Sequence, residues 1–590
     1  MLKATSDSEN TNKRPRRSII PQILGEVTGL IDTGQATEFA AVIQRPESKE
    51  TFIGAGIVGA LRAYFAHKQA VKNGTRLRIT MFDKNSSIDQ TTTSNIAPSL
   101  TPDEIMSVVP PAPALIEKMG ILFSLPGGIR VEDVAGVNDS VVMQEFIQQV
   151  QAYNKDASAH KARSEALLKL GKLSMDLWQK IYDDADEELT QILEESNFQP
   201  CREPRNANRS LHDGYRIDLI SNVANAAIKA EGMKQDYAGI GYSKCAILLP
   251  SEVKALDPFL SDFCDQHSTT SESGVQTWNN DTVALYRPGG CFDAEVFLPK
   301  FYAYLERAMG TYRNEAGDLK ACFRLKFDRE VTGVVFKDSP DHLTISALVQ
   351  GNRIKADKHT YQNSHYIFCP GEAVGTLKRL RFEEPAFTGF AGASLKLNIP
   401  IPADELKQYQ AFNHCMEVHR EGVVLAWQAR FKNGKISIAV AGTKAFYADQ
   451  KPHKDQEFAK DRNLLQLNMI NDVLSEFVAM AFKAIGLEYI KGQQLTESHL
   501  AALEQHGIAK RWVGTRAVAF DGFPTLGRAY AHGRPVENAE NITHFGSGGA
   551  SFAPAVLFSL EALNKRQDET PAPVIQEVMN YADSRRKAKL

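Results

Sequence analysis

The segment that most constrains this chain begins at Thr51. Thr51-Phe52-Ile53 is a short β-prone run that passes without a linker into Gly54-Ala55-Gly56-Ile57-Val58-Gly59. Ile57, Leu61 and Phe65 then recur every four residues, the spacing of one helix face. After the turn-forming Lys72-Asn73-Gly74, the alternation Leu77-Arg78-Ile79-Thr80-Met81-Phe82 reads as a second strand closing on Asp83. In such a unit the first glycine allows a tight turn after the strand. The second lets a pyrophosphate approach the backbone at a helix N-terminus, and the third lets helix and sheet pack closely. Asp83, 24 residues beyond Gly59, is placed to accept from both ribose hydroxyls of an adenosine. Its charge disfavours a 2′-phosphate, so NADP is not expected. A lone glycine triplet is a weak signal, but this ordered context points to a dinucleotide site for FAD or NAD.

The chain is 590 residues long, well beyond the roughly 100–200 residues of an ordinary domain, so two or more lobes are expected. Apolar residues make up 43% and charged residues 24%, which excludes a wholly disordered or collagen-like chain. A net charge of −3 gives no global argument for nucleic acid as a partner. The seven cysteines are scattered and form no C-x-x-C, which argues against a disulfide framework or zinc knuckle and for reduced, intracellular thiols. Cys369 and Cys291 read as packed rather than reactive. The fourteen histidines form no H-x-E-x-x-H or H-x-x-x-H pattern, and no metal site is expected.

No apolar run approaches ~18 residues, so no spanning helix is expected, though peripheral membrane contact stays open. The first seventeen residues are polar and lack the core of a secretory signal. Lys13, Arg14, Arg16 and Arg17 there read as a solvated arm, or as a nuclear address or phosphate-binding arm. The expected location is cytoplasmic. Ala588-Lys589-Leu590 resembles a peroxisomal tripeptide, but behind Arg585, Arg586 and Lys587 it equally fits a basic tail.

Further along, Leu167, Leu170, Leu173, Leu177 and Ile181 predict one long amphipathic helix over 162–195. Strand patterns follow at 281–286, 322–337, 342–350 and 436–441, then a helical block at 456–486. Residues 511–563 return to short strands and a glycine-rich turn running into a helix. No fixed-period repeat is visible, which excludes a solenoid. A second glycine-rich nucleotide unit and a C-x₄-C pair, usual in flavin reductases that use NADH, are both missing. The C-terminal part instead carries Arg511-Trp512-Val513-Gly514-Thr515-Arg516-Ala517, then Asp521-Gly522-Phe523-Pro524-Thr525-Leu526-Gly527, then Gly546-Ser547-Gly548-Gly549-Ala550.

Together these segments resemble the FAD-dependent D-amino acid oxidase superfamily, most closely its D-amino acid dehydrogenase and glycine oxidase-like branch. The C-terminal stretch is similar to that family's W-x-G-x-R-P-x-x-x-D-G-x-P-x-x-G segment and the flavin loop after it. Leu249 to Pro258, Pro288-Gly289-Gly290 with Asp293, Phe368-Cys369-Pro370-Gly371 and Gly392-Ala393-Ser394-Leu395 match further family segments in order, over about 50–565. Departures are Ala517 for the family's proline, Ser547 for a histidine and Asp83 for the usual glutamate; Thr91 to Ala97 matches the flavin-phosphate turn only loosely.

The resemblance implies an α/β fold, a Rossmann-like FAD-binding domain with a second, β-sheet-rich substrate domain inserted. Its boundaries divide the chain into an N-terminal extension, partly disordered (1–48), the first part of the FAD-binding domain (49–150), and a helical region opening the substrate domain (151–290). The second FAD part (291–390), the substrate domain (391–510), the C-terminal FAD part (511–570) and a basic tail (571–590) follow. It also implies FAD as cofactor and oxidation of the C–N bond of an amino acid or related amine by hydride transfer to flavin N5, with oxygen or a quinone as electron acceptor. The alternatives are a 2-hydroxy acid or polyol dehydrogenase on the same fold, and a non-catalytic FAD-containing interaction protein. The implied cofactor residues are Gly54, Gly56, Ile57, Val58, Gly59, Asp83, Lys84, Ser94, Val331, Gly371, Gly514, Gly546, Gly548, Gly549 and Ala550. Arg516 matches the clamp for the substrate carboxylate, or else forms a structural ion pair. Trp512 and Phe545 read as core aromatics or as a substrate border, and Asp521 as a turn residue.

Overall fold

The protein is described by a computed structural model, which covers residues 47–91, 99–105, 130–132, 148–149, 157–202, 214–338 except 315, 343–351, 359–361, 364–371, 377, 379–383, 387–410, 412–420, 423–447, 456–519, 525 and 527–543. Strand β1 (Glu47–Ile53) leads into helix α1 (Ile57–Lys72) and strand β2 (Arg76–Phe82). α1 buries Ile57, Leu61, Tyr64 and Phe65 with the small Ala60, Ala63 and Ala66 between them, so it can lie close on the sheet. Its N-cap is Gly56, which has no side chain to cap the first turn.

After the short β3 (Ser99–Leu100), the single helix expected over 162–195 is two, α2 (Ala157–Asp183) and α3 (Glu187–Glu195). The break is chemical. Asp186 adopts an extended conformation and its carboxylate accepts from the Leu189 N–H at 2.8 Å, while Glu187 and Glu188 place negative charge at the new N-terminus. Next come β4 (Tyr215–Ser221), α4 (Ala226–Gly239), β5 (Ala246–Leu248), β6 (Val283–Pro288), β7 (Gly290–Cys291) and α5 (Ala294–Met309), the last capped by Asp293. β8 (Phe323–Lys326), β9 (Arg329–Asp338), β10 (Leu343–Gly351) and β11 (His365–Phe368) follow. Then β12 (Phe387–Pro400), β13 (Asn413–Arg420), β14 (Val423–Lys432) and β15 (Lys435–Tyr447) precede three helices, α6 (Gln456–Val473), α7 (Ser475–Ala484) and α8 (Glu497–Gln505). β16 (Ala509–Ala519) and β17 (Arg534–Asn541) close the described chain.

Two large sheets result, and the fold is α/β as expected. In the first, β8, β2, β1, β11 and β17 lie side by side and all parallel, extended by β10 and β9. The second runs β16-β12-β15-β14-β13-β4-β6-β5, antiparallel except where β13 meets β4. One face of its central strands presents Leu395, Leu397, Ile399, Trp427, Ile436, Ile438 and Val440, all buried in one core with residues of α6 and α7 and with Phe52 and Ile79 of the first sheet. The opposite face is polar and meets α5, where Arg430 pairs with Asp293 at 2.6 Å and Lys396 with Glu295. The chain crosses from the second sheet to the first between Ala519 and Arg528, because β16 pairs with β12 whereas β17 pairs with β11.

Candidate nucleotide site and the polar wall

From β1 the chain steps outward through β2 to β8 on one side, and from β11 to β17 on the other. The order therefore reverses between β1 and β11, and a crevice must open beyond their carboxyl ends, the place where parallel α/β sheets bind ligands. A cleft lies there, bordered by Gly54 and Gly56, by Phe82, Asp83 and Lys84, by Arg329 to Val331, and by Phe368 to Gly371.

The loop between β1 and α1 is wedged between its neighbours. The Gly54 N–H donates to the Phe82 carbonyl at 2.9 Å, and the Cys369 N–H donates to the Ile53 carbonyl at 2.8 Å. Gly54 has φ +108°, and a Cβ there would lie 2.1 Å from the Cys369 carbonyl oxygen. At Gly59 a Cβ would lie 2.4 Å from the Gly54 carbonyl oxygen, so the helix could not seat against its own loop. Ile57 and Gly59 are buried and Val58 half-buried in the first turn of α1. Tyr302 of α5, which the sequence did not single out, supports the loop from beneath with its hydroxyl donating to the Gly56 carbonyl at 3.4 Å. Burial pushes that phenol well above its ordinary range, which keeps it a neutral donor.

Asp83 is buried where β2 ends. Its Oδ2 accepts from the Ala55 N–H at 2.8 Å and its Oδ1 from the Asn85 N–H at 2.9 Å. The acid thus ties the glycine loop to the strand end at the border of the cleft. Burial pushes the carboxyl above its ordinary range against the pull of these two amides. Val331 is buried beside a register shift between β9 and β10, and Gly371 has φ +54° with open space where its Cβ would be.

Other expected site residues stand elsewhere. Gly514 and Arg516 lie on β16, the edge of the second sheet, opposite Gly392 and Phe390 of β12. A Cβ on Gly514 would lie 1.8 Å from the Trp512 ring, so the missing side chain makes room for that indole. Ser94, Asp521, Phe545, Gly546, Gly548, Gly549 and Ala550 lie outside the described residues.

Sequence reading also missed a charged ring on the polar face of the second sheet. Arg216 and Asp218 on β4, Arg287 on β6 and Glu417 on β13 are all buried. Arg216 donates to Asp218 Oδ1 at 3.0 Å and pairs with Glu417 Oε1 at 2.6 Å; Arg287 bonds Asp218 Oδ2 and Glu417 Oε2, the latter at 2.7 Å. Within each carboxylate the two oxygens face different guanidiniums. The strand register explains the pattern, since Arg216 stands opposite Arg287 and Asp218 opposite Glu417, leaving unlike charges on the diagonals. Tyr237 and Asp103 complete the Arg287 fork, and Ser99 accepts from Arg216 at 2.5 Å. The two guanidiniums overcome the burial penalty and hold both carboxyls far below their ordinary range.

Among the described residues no helix is long and apolar enough to cross a membrane. No family model matches the chain, and neither does any curated protein. Among solved structures it is similar to glycine oxidase from Geobacillus kaustophilus, at 14% identity and a TM-score of 0.48, over 90% of this chain and 98% of that one. It is also similar to L-proline dehydrogenase from P. horikoshii, at 15% identity and a TM-score of 0.49, over 92% and 99%. A third is L-alpha-glycerophosphate oxidase from Mycoplasma pneumoniae, seen with FAD bound, at 12% identity and a TM-score of 0.47, over 89% and 97%.

Proposed function

We propose that this chain is an FAD-dependent oxidoreductase of the D-amino acid oxidase type that oxidises the C–N bond of an amino acid or related amine. The observation that carries the proposal is the glycine loop at the reversal point of a parallel sheet, with Asp83 at the end of the neighbouring strand. The fit of the cofactor rests on this cradle. Side chains are excluded at Gly54 and Gly59, the N-terminus of α1 has no side-chain cap, and the Asp83 carboxylate borders the cleft. When bound, the flavin supplies the hydride acceptor, its N5.

The chain's own residues do the rest. The amides of Gly56, Ile57, Val58 and Gly59 with the α1 dipole hold the pyrophosphate. Asp83 takes the ribose hydroxyls, Lys84 offers a donor at the rim, Ser94 belongs to the flavin-phosphate turn that the resemblance implies, and the Val331 backbone meets the adenine edge. Gly371 and, in the C-terminal part, Gly514, Gly546, Gly548, Gly549 and Ala550 let backbone run close to the ring system. Arg516 binds the substrate carboxylate with a planar two-point fork, which orients the carbon that loses hydride. The amine must be neutral at that moment. Oxygen or a quinone takes the electrons onward.

Purified protein is expected to show flavin absorption bands, and extraction to yield FAD rather than FMN, because Asp83 reads an adenosine ribose. Anaerobic addition of D-amino acids, sarcosine and other amines is expected to bleach the bands, with 2-hydroxy acids as the contrasting set. Colourless protein that takes up no FAD would overturn the cofactor assignment. Bleaching by 2-hydroxy acids alone, or by neither set, would overturn the substrate class.

A further inference from the structure

Outside the cleft, the polar wall brings two thiols together. Cys415 on β13 stands opposite Gln428 on β14, and the Gln428 side-chain amide donates to the sulfur of Cys291 at 3.4 Å. Directly opposed residues of antiparallel strands have Cβ atoms about 5 Å apart, so the Cys291 sulfur sits over the Cys415–Gln428 pair. Cys415 in turn donates to the carbonyl of Gly290, the residue before Cys291, at 3.2 Å, and the Cys291 thiol donates to the Asn197 carbonyl at 3.4 Å. Cys291 is fully buried and further held by Asn197, whose side-chain amide donates to its sulfur at 3.4 Å. Cys415 is partly exposed and lies 4.0 Å from the Arg216 Nη1.

We propose that Cys291 and Cys415 form a peroxide-oxidisable thiol pair, with Cys415 the thiol attacked first and Cys291 the one that resolves it to a disulfide. In the first step the Cys415 sulfur attacks hydrogen peroxide. An S–O bond forms, the O–O bond breaks, and hydroxide leaves as water with the Cys415 proton. In the second the Cys291 sulfur attacks that of Cys415. The S–S bond forms as the S–O bond breaks, and the Cys291 proton leaves with hydroxide as a second water. Two thiols supply two electrons and one peroxide is reduced to two waters.

The environments divide the roles. The neighbouring Cys291 and the charge of Arg216 draw Cys415 below its ordinary range against the effect of burial, and the thiolate is the nucleophile. Burial pushes Cys291 well above its range, which keeps it a thiol until Cys415 has been oxidised.

The full-length protein is treated with hydrogen peroxide, denatured, alkylated and mapped by mass spectrometry without reduction. The expected result is loss of two of the seven alkylatable thiols and a linked peptide joining Cys291 to Cys415, reversed by dithiothreitol. In Cys291→Ser, Cys415 is expected to be trapped by dimedone as a sulfenic acid. In Cys415→Ser, Cys291 is expected to stay alkylatable. A wild-type map in which Cys415 stays a thiol, goes to sulfinic acid while Cys291 stays free, or links to another cysteine would overturn the proposal, whether or not either variant folds.

Discussion

The cleft of the first sheet and the charged ring of the second are both built at strand ends and registers, yet from opposite materials. The cleft is made of backbone: glycines that admit no Cβ, an uncapped helix N-terminus, and one acid holding a loop to a strand. The ring is made of side chains whose charges answer one another and leave no lone acceptor. A backbone site tolerates changes of charge and fails on changes of size. A closed ion ring tolerates neither partner's loss, because what remains is a buried charge without its counter-ion.

That contrast can be broken most directly at Asp218. Asp218→Ala leaves Arg216 and Arg287 facing each other across neighbouring strands, and stability measured by urea unfolding is expected to fall by about 3–5 kcal/mol. Replacing all four ring residues by apolar ones of similar volume is expected to recover much of that loss. A single-variant loss below ~1 kcal/mol would mean that the ring is solvated and the contrast empty.

The next effect belongs to Arg516. Loss of a charge-assisted pair in a desolvated pocket costs about 2–5 kcal/mol, so Arg516→Ala is expected to lower kcat/KM by roughly 30-fold or more on a carboxylate-bearing substrate. FAD content is expected to hold, and Arg516→Lys to recover only part, since a point charge lacks the fork. Equal losses on an amine without a carboxylate would assign Arg516 to structure.

Two glycines then separate frame from ligand within the cleft. Gly54→Ala forces a Cβ onto the Cys369 carbonyl at a backbone angle that disfavours side chains, and apo-protein stability is expected to drop by about 1–3 kcal/mol. Gly56→Val is expected to abolish FAD binding with a smaller effect on the melting temperature, because the space it fills is the pyrophosphate's. If Gly56→Val keeps a full complement of FAD, the loop does another job.

The smallest expected effect is a pH slope. Burial raises the Asp83 carboxyl in the folded chain, so its favourable contribution is present below the ordinary carboxylate pKa of ~3.9 and lost as pH rises through the folded value. Asp83→Asn is expected to flatten the apo-protein melting temperature between pH 4 and 7. The ring acids have the opposite sign, stabilising above their ordinary range and failing as pH falls below it. An unchanged slope in Asp83→Asn would place that carboxyl in contact with water.

The same contrast explains which features are legible in the amino-acid sequence. The β1–α1–β2 unit is contiguous, and its glycines and acid act at fixed offsets, so a reading of neighbours suffices. The ring is invisible there because Arg216, Arg287 and Glu417 meet only through strand register. The break at Asp186 is hidden because Leu189, Ile192 and Leu193 continue the apolar rhythm, and an aspartate on a helix surface looks the same as one capping a new helix. At Gly514 the spacing shows that a side chain is missing, but not that Trp512 fills the room.

The interleaving of the sheets also has a cost during synthesis. β1 emerges early, but its second neighbour, β11, follows much later; Thr51 and Ser364, which hydrogen-bond across that seam, are 313 positions apart. Until then one side of β1 is an unpaired edge, the kind of surface that recruits other chains into aggregates. β17 adds its strand later still. The nascent chain must therefore carry an open seam while the 313 positions between Thr51 and Ser364 are translated. Its yield in a cell will depend on what shields that seam from other nascent chains as much as on the stability of the finished fold.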